Sequence, residues 1–266
     1  METYIVDSFT NKPFRGNPAG VCILNASLSE ANMLTIAQEL NLSETAFIQQ
    51  KEKNNCYSIR YFSPVMEIPL CGHATLASAK VLFEYSNINE IQFTTIQNLS
   101  LTAKKTGNEI TMEFPVYETK PSKVPPALLE ALDITEINNC EYNKETNILL
   151  LEISDSRILA NLTPNYQKLL KSHNTINGVV VTAATSEKYD FHSRYFWPWS
   201  GSNEDPVTGA THTFLTKYWS KRLNKTKMKS FQASKRTGFM EVELIENNKL
   251  LIKSNAVIVF KGIFIF

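Results

Sequence analysis

RYFSPVMEIPLC at residues 60–71 and RYFWPWSGSNED at residues 194–205 decide the fold, because they are two copies of one pattern. Each opens Arg-Tyr-Phe-x-Pro, and in each the seventh residue after the proline is a candidate acid–base group, Cys71 or Asp205. After a slip of two residues, GHATLASAKVLF answers VTGATHTFLTKYW. Backwards the register has no gap, so ETAFIQQ (44–50) falls opposite GVVVTAA (178–184), setting Glu44 against Gly178. A repeat of this length implies two similarly folded halves, each carrying a polar turn that leads into a helix. A site built between them would receive one turn from each half, an arrangement commoner in enzymes than in binding modules.

The bulk numbers agree with two domains of about 130 residues in a chain of 266. With 43% hydrophobic and 20% charged residues, the composition is that of an ordinary globular protein. A net charge of +1 gives no steering towards nucleic acid or an acidic membrane surface. Cys22, Cys56, Cys71 and Cys140 are widely spaced, so neither a zinc ribbon nor a disulfide framework is suggested, and reduced thiols in a cytoplasmic enzyme are expected. METYIVDSFTNK lacks the features of a signal peptide, and no run of about 18 apolar residues offers a membrane span.

Short β-branched and aromatic runs separated by Gly, Pro, Asn and Ser turns dominate the chain and predict strands. Helices are expected over 28–40, with Ser27-x-x-Glu30 as a capping box, over 74–84 and over 208–221. The last two are apolar on several sides, as befits helices enclosed by sheet. PVYETKPSKVPP (115–126) reads as a linker, placing domains at 1–118 and 119–255. The last strand, 256–265, is apolar enough to be buried, and its return to the first domain is left open. The fold class is α+β, each half a barrel-like curved sheet around a central helix.

The two turns carry the candidate chemistry. In CGHAT and DPVTGAT small residues open a helix after a polar side chain, and the free N–H groups and dipole there suit a carboxylate. Gly72 and Gly209 admit a ligand close to the backbone. Cys71, His73 and Asp205 then sit where a bound acid would lie, and the helix start is expected to lower the Cys71 thiol pKa. The plainer alternative is a pair of well-capped helices, with Asp205 as a cap. Glu44 stands at the entry to an apolar strand, where desolvation is expected to raise its pKa towards that of a proton shuttle. Its counterpart being Gly178 fits a base needed once; the alternative is a surface carboxylate at a loop–strand junction. Asn17, in the Gly16-Asn17-Pro18 turn, can present its side chain to the site. His73, His173, His192 and His212 lack metal-binding spacing, and no nucleotide-binding glycine motif occurs, so neither metal nor cofactor is expected. Lys221, Arg222, Lys225, Lys227 and Lys229 read as a solvated basic run, and Trp199 as core or cleft wall.

VDSFTNKPFRGNPAGV, NLSETAFI, RYFSP, CGHATLASA, RYFWP and EDPVTGATH, in this order over nearly the whole chain, resemble the signatures of the phenazine-biosynthesis PhzF-like family, relatives of diaminopimelate epimerase. The resemblance implies two pseudo-symmetric domains, an active site between them, cofactor-free isomerisation by proton transfer at carbon, and frequent homodimers. It matches Glu44 to the general acid–base, and His73 and Asp205 to further active-site side chains. Ala210 stands where the family turn often has serine, and Thr211 lies about 100° further round a helix. The epimerase relatives use a cysteine in each half, whereas here Cys71 faces Asp205, which disfavours a two-thiol racemisation.

The resulting expectation is an isomerase acting on a small carboxylate-bearing metabolite. Glu44 moves the proton, His73 and Asp205 bind or relay, and Asn17, Cys71, Gly72, Thr208, Gly209 and Ala210 bind substrate. A cysteine-assisted epimerase using Cys71 and a non-catalytic metabolite-binding protein remain as alternatives. No nucleic acid or membrane partner is expected.

Overall fold

Strand pairing follows the same order in both halves of the computed structural model, which describes residues 1–53 and 55–265. The chain divides into two compact units, residues 1–113 with those from 251 onward, and residues 114–250. In the first, β1 (Glu2–Ser8) pairs antiparallel with β2 (Asn17–Leu24) and, on its other side, with the C-terminal strand Ala256–Ile263. Helix α1 (Glu30–Leu40) crosses to β3 (Glu44–Gln50), parallel to β2. Antiparallel β4 (Cys56–Phe62) and β5 (Glu67–Ile68) follow, then α2 (Gly72–Glu84) and β6 (Glu90–Thr94), parallel to β4. Strands β7 (Ser100–Thr106) and β8 (Glu109–Pro115) complete the unit's meander.

The second unit begins with β9 (Lys120–Pro121), α3 (Pro126–Leu132) and β10 (Asn139–Asn143), which pairs antiparallel with β11 (Ile148–Glu152). Helices α4 (Ser156–Ala160) and α5 (Tyr166–Ser172) lead to β12 (Gly178–Ala184), parallel to β11. Antiparallel β13 (Phe191–Trp197) and β14 (Ser202–Asp205), α6 (His212–Leu223), β15 (Lys227–Gln232), parallel to β13, and β16 (Gly238–Ile245) follow. Ala46 faces Tyr61 across β3–β4 and Val180 faces Tyr195 across β12–β13, the register the repeat requires.

The Arg-Tyr-Phe triplet acquires a physical role from strand alternation. Arg60 and Phe62 share one face of β4. The guanidinium lies 5.2 Å from the Phe62 ring and forks onto Glu67 at 2.7 Å twice, clamping the β4–β5 hairpin. Arg194 does the same, 4.9 Å from the Phe196 ring and forked onto Glu204 at 2.7 and 2.9 Å. It also donates to the carbonyls of Leu159 and Leu162, tying α4 to the sheet. On this outer side Phe62 packs with Phe47, Met33 and Ile36 under α1, and Phe196 with Leu159, Leu169 and Leu128. The tyrosine points the other way: the Tyr61 hydroxyl meets Thr75 Oγ1 of α2 at 2.6 Å. Helix α2 is buried from His73 to Ala79 and packs on β1, β2 and β3, so it is the enclosed helix of its unit. Helix α6 holds the like place, with Trp219 stacked on Phe191 and donating to Thr182.

Four local expectations change. The cap of α1 is Ser29, whose side chain accepts from Asn32 N–H, so the helix starts at Glu30 rather than 28. Residues 115–126 do not run free: Tyr117 N–H donates to Thr213, Lys120–Pro121 pairs with β10, and Pro126 opens α3. The C-terminal strand is buried only at its start, with Phe260 and Ile263 half or more exposed. β7, β10 and β15 escaped the sequence reading because lysine, asparagine and threonine fill their outward positions. Among the described residues, no helix is long and apolar enough to cross a membrane.

Candidate active site

Glu44 opens β3 on the face that carries Ala46 and looks towards α2, and the first turn of α2 supplies His73. Glu44 Oε2 lies 3.2 Å from His73 Nε2. Ser43 Oγ is 3.4 Å from the same nitrogen. On the other side of the ring, Nδ1 is 3.3 Å from Cys71 Sγ and 3.4 Å from Asn17 Nδ2. Ser8 Oγ donates to the His73 carbonyl at 2.7 Å, fixing the backbone beneath the ring. Asn17, Glu44, Cys71 and His73 are all less than 9% exposed. Five sequence candidates, Asn17, Glu44, Cys71, Gly72 and His73, therefore converge within the first unit.

The second unit holds the others. Thr208 Oγ1 donates to Asp205 Oδ2 at 2.5 Å. Gln232 bridges the turn, its Nε2 donating to the Asp205 carbonyl and its Oε1 accepting from Thr208 N–H. Gly209 and Ala210 form a tight turn whose carbonyls accept from His212 and Thr213 N–H. Two expectations are corrected here. Asp205 does not cap the helix, and α6 begins only at His212, so Thr208–Ala210 precede it and the Thr208 N–H is already engaged.

The electrostatics correct two more. Burial raises the Glu44 pKa as anticipated, but the hydrogen bond and charge of His73, with Ser43, outweigh it and hold the carboxyl below its ordinary value. Burial also opposes charge on His73, yet Cys71 and Glu44 carry its pKa well above 6.5. The Cys71 contribution applies only once that thiol ionises, so near neutrality the Glu44 carboxylate is the relevant partner. Burial pushes the Cys71 thiol up rather than down, against His73 and the start of α2. Contact with His73 thus favours the charged Glu44 carboxylate and contact with Glu44 favours charge on the imidazole, while burial favours the neutral Cys71 thiol. This arrangement can take a proton at Glu44 while His73 holds compensating charge beside it.

Sequence reasoning missed Ser43, Ser8 and Gln232. Ser43 had a signal in its adjacency to Glu44; Gln232, on a distant strand, had none. The histidine-spacing argument missed that a thiol, an imidazole and a carboxylate gather: donor atoms of Glu44, Cys71 and His73 lie within 4.8 Å of one another. His212 is buried between Thr208 O and Ser230 Oγ, and burial lowers its pKa to about 4, so it serves as neutral structure. Trp199 donates to the Leu170 and His173 carbonyls and packs on the core. Lys221, Arg222, Lys225 and Lys227 are ion-paired with Glu118, Glu152, Asp190 and Glu241. Gly178, the counterpart of Glu44, has the Tyr195 ring 2.5 Å from where a Cβ would stand.

The chain matches known proteins along nearly its whole length. The family model for phenazine biosynthesis-like proteins (PhzC-PhzF) matches residues 6–262, and the chain belongs to that family. Phenazine biosynthesis-like domain-containing protein 1 of Mus musculus is 40% identical, with 98% of each chain covered. An uncharacterized isomerase of Halalkalibacterium halodurans is 41% identical over 97% of this chain and 96% of its own. The crystal structure of a putative phenazine biosynthesis PhzC/PhzF protein from Clostridium difficile superposes with a TM-score of 0.91 at 38% identity, covering all of both chains. A predicted epimerase from Pseudomonas aeruginosa shares the fold at 17% identity, with a TM-score of 0.75 over 100% of this chain and 99% of its own.

Proposed function

We propose that the protein is an isomerase that moves a proton between carbons of a small carboxylate-bearing metabolite, with Glu44 as the acid–base group. The observation that carries this reading is the buried Glu44–His73 pair at 3.2 Å. Relatives named as isomerases at 38–41% identity support the reaction class. Glu44, ionised at neutral pH, removes a proton from a carbon acidified by the substrate's own carboxylate. The depressed pKa makes it a weak base in the free protein. A substrate anion entering beside His73 takes a share of the imidazolium's charge and adds its own, and both raise the Glu44 pKa. The backbone N–H groups opening α2 at Gly72–Ala74 hold the carboxylate. Glu44 then returns the proton to a second carbon, so no redox change or cofactor is needed. Asn17 orients His73, and Cys71 lines the site.

The test is deuterium uptake from heavy water across a set of small carboxylic acids, read by NMR. Glu44→Gln keeps the shape and should reduce uptake by roughly 10²–10⁴-fold, the usual weight of general acid–base catalysis. Uptake at the wild-type rate in Glu44→Gln would remove Glu44 from the role. Cys71→Ala should retain most exchange; an inactive Cys71→Ala beside an active Glu44→Gln would move the chemistry to the thiol.

A further inference from the structure

We propose that Cys71 is a nucleophile for small α,β-unsaturated carboxylic acids, with His73 as its base and Glu44 as the group that orients the base. The three side chains stand in line across one imidazole ring. Cys71 Sγ is 3.3 Å from Nδ1, and Glu44 Oε2 is 3.2 Å from Nε2 on the opposite side. The sulfur is nearer to Nδ1 than to Nε2, which is 3.9 Å away, so Nδ1 is the nitrogen that takes its proton. A nucleophile within hydrogen-bond reach of a base, which a third group holds in turn, is the arrangement that activates cysteine and serine in acyl-transfer enzymes. In the neutral ring, Nε2–H donates to the Glu44 carboxylate, and the Nδ1 lone pair is left facing the thiol. Asn17 Nδ2, 3.4 Å from Nδ1, favours the same tautomer. Cys71 and His73 flank the start of α2 and Glu44 begins β3, so regular elements fix the line. Each of the three retains 7–8% exposure, which lets a small acid reach them.

Burial opposes a resting thiolate, whereas His73 and the Ala74 N–H favour charge on the sulfur. The proton therefore passes to Nδ1 as the carbon–sulfur bond forms. Sulfur bonds to the β-carbon, the C=C π bond opens, and its electron pair moves to the α-carbon. His73 gives the thiol's proton to that carbon, so S–H adds across the double bond with no oxidant and no leaving group. The N–H groups opening α2 hold the carboxylate, which selects an acid over a neutral acceptor. The ring is faced by Glu44 and Ser43 at the start of β3, by Cys71 before α2 and by Asn17 at the start of β2. A doubly protonated ring has no Nδ1 lone pair; burial opposes that form and Glu44 favours it, so addition quickens as the pH is raised through the His73 value, well above 6.5. This inference takes the carboxylate hold from the reading above, but not the proton transfer by Glu44.

The experiment treats the whole protein in mildly alkaline buffer with monomethyl fumarate, which keeps one carboxylate, or with dimethyl fumarate, which has none. Peptide mass spectrometry follows the adduct at each cysteine, and the half-buried Cys56 serves as the reference thiol within the same chain. The monoester-to-diester rate ratio should be roughly tenfold or more higher at Cys71 than at Cys56, the weight of a hydrogen bond to a charged group. His73→Gln should slow addition at Cys71 roughly 10²-fold and leave Cys56 unchanged. Glu44→Gln should move the pH dependence at Cys71 to lower pH, because the ring loses the carboxylate that favours its charge. Circular dichroism of each variant separates lost folding from lost reactivity, and the wild-type ratio needs no variant. Cys71 left unmodified while Cys56 reacts, equal ratios at the two thiols, or an unslowed folded His73→Gln would overturn the proposal. An unshifted pH profile in Glu44→Gln would overturn the orienting role of Glu44. Deuterium uptake without a Cys71 adduct would sink this proposal alone, while the adduct without uptake would sink the proton-transfer reading alone.

Discussion

Replacing Glu44 by glutamine should change stability only within a definite pH window. Two unit charges 3.2 Å apart attract by about 5 kcal/mol at an effective dielectric of 20. Burying both charges offsets much of this, leaving about 1.5–3 kcal/mol, the usual net worth of a hydrogen bond between charged groups. The folded pKa of Glu44 is lowered, so its contribution is present above the ordinary value of 4.5 and is lost as pH falls through the folded value. The folded pKa of His73 is raised, so its contribution is full below 6.5 and is lost as pH rises through the folded value. The wild-type advantage over Glu44→Gln should therefore be greatest between about 4.5 and 6.5 and shrink on both sides. In the variant, burial drives His73 neutral, so acidification from pH 8 to pH 5 costs it stability that the wild type keeps. Urea unfolding at half-unit steps of pH, followed by tryptophan fluorescence, measures this directly. A gap constant with pH, or one that widens above pH 6.5, would refute the coupled-pair account.

Arg194→Met should cost about 3 kcal/mol, because it leaves the partly buried Glu204 without its partner and frees two buried carbonyls. Arg60→Met should cost less, since Arg60 is 23% exposed where Arg194 is 9%; urea midpoints decide, and equal losses would contradict the ranking. Gly178→Ala should cost about 1–3 kcal/mol by overpacking against Tyr195. Adding Tyr195→Ala should erase that penalty, and a double-mutant cycle showing no coupling would put the strain elsewhere.

The sequence by itself determined the two-fold architecture, because repeated patterns of inward and outward residues can bury their apolar faces only in repeated strand pairings. RYFxP fixed β4 and β13, and the register carried Glu44 onto Gly178 before any contact was known. It also gathered Asn17, Glu44, Cys71 and His73 as candidates, through their residue types and family signatures. What it left undecided was which atoms meet. A carboxylate in an apolar strand reads as raised in pKa, and a thiol at a helix start reads as lowered. The tertiary structure reverses both, by setting His73 at 3.2 Å from Glu44 and by burying Cys71. The start of α6, the cap on α1 and the reach of Gln232 to the Asp205 turn were likewise decided by the fold, since each depends on a hydrogen bond with several donors in competition. Periodicity reports which face of an element is buried; only packing decides which neighbour it is buried against, and the charge states of this site follow from that neighbour.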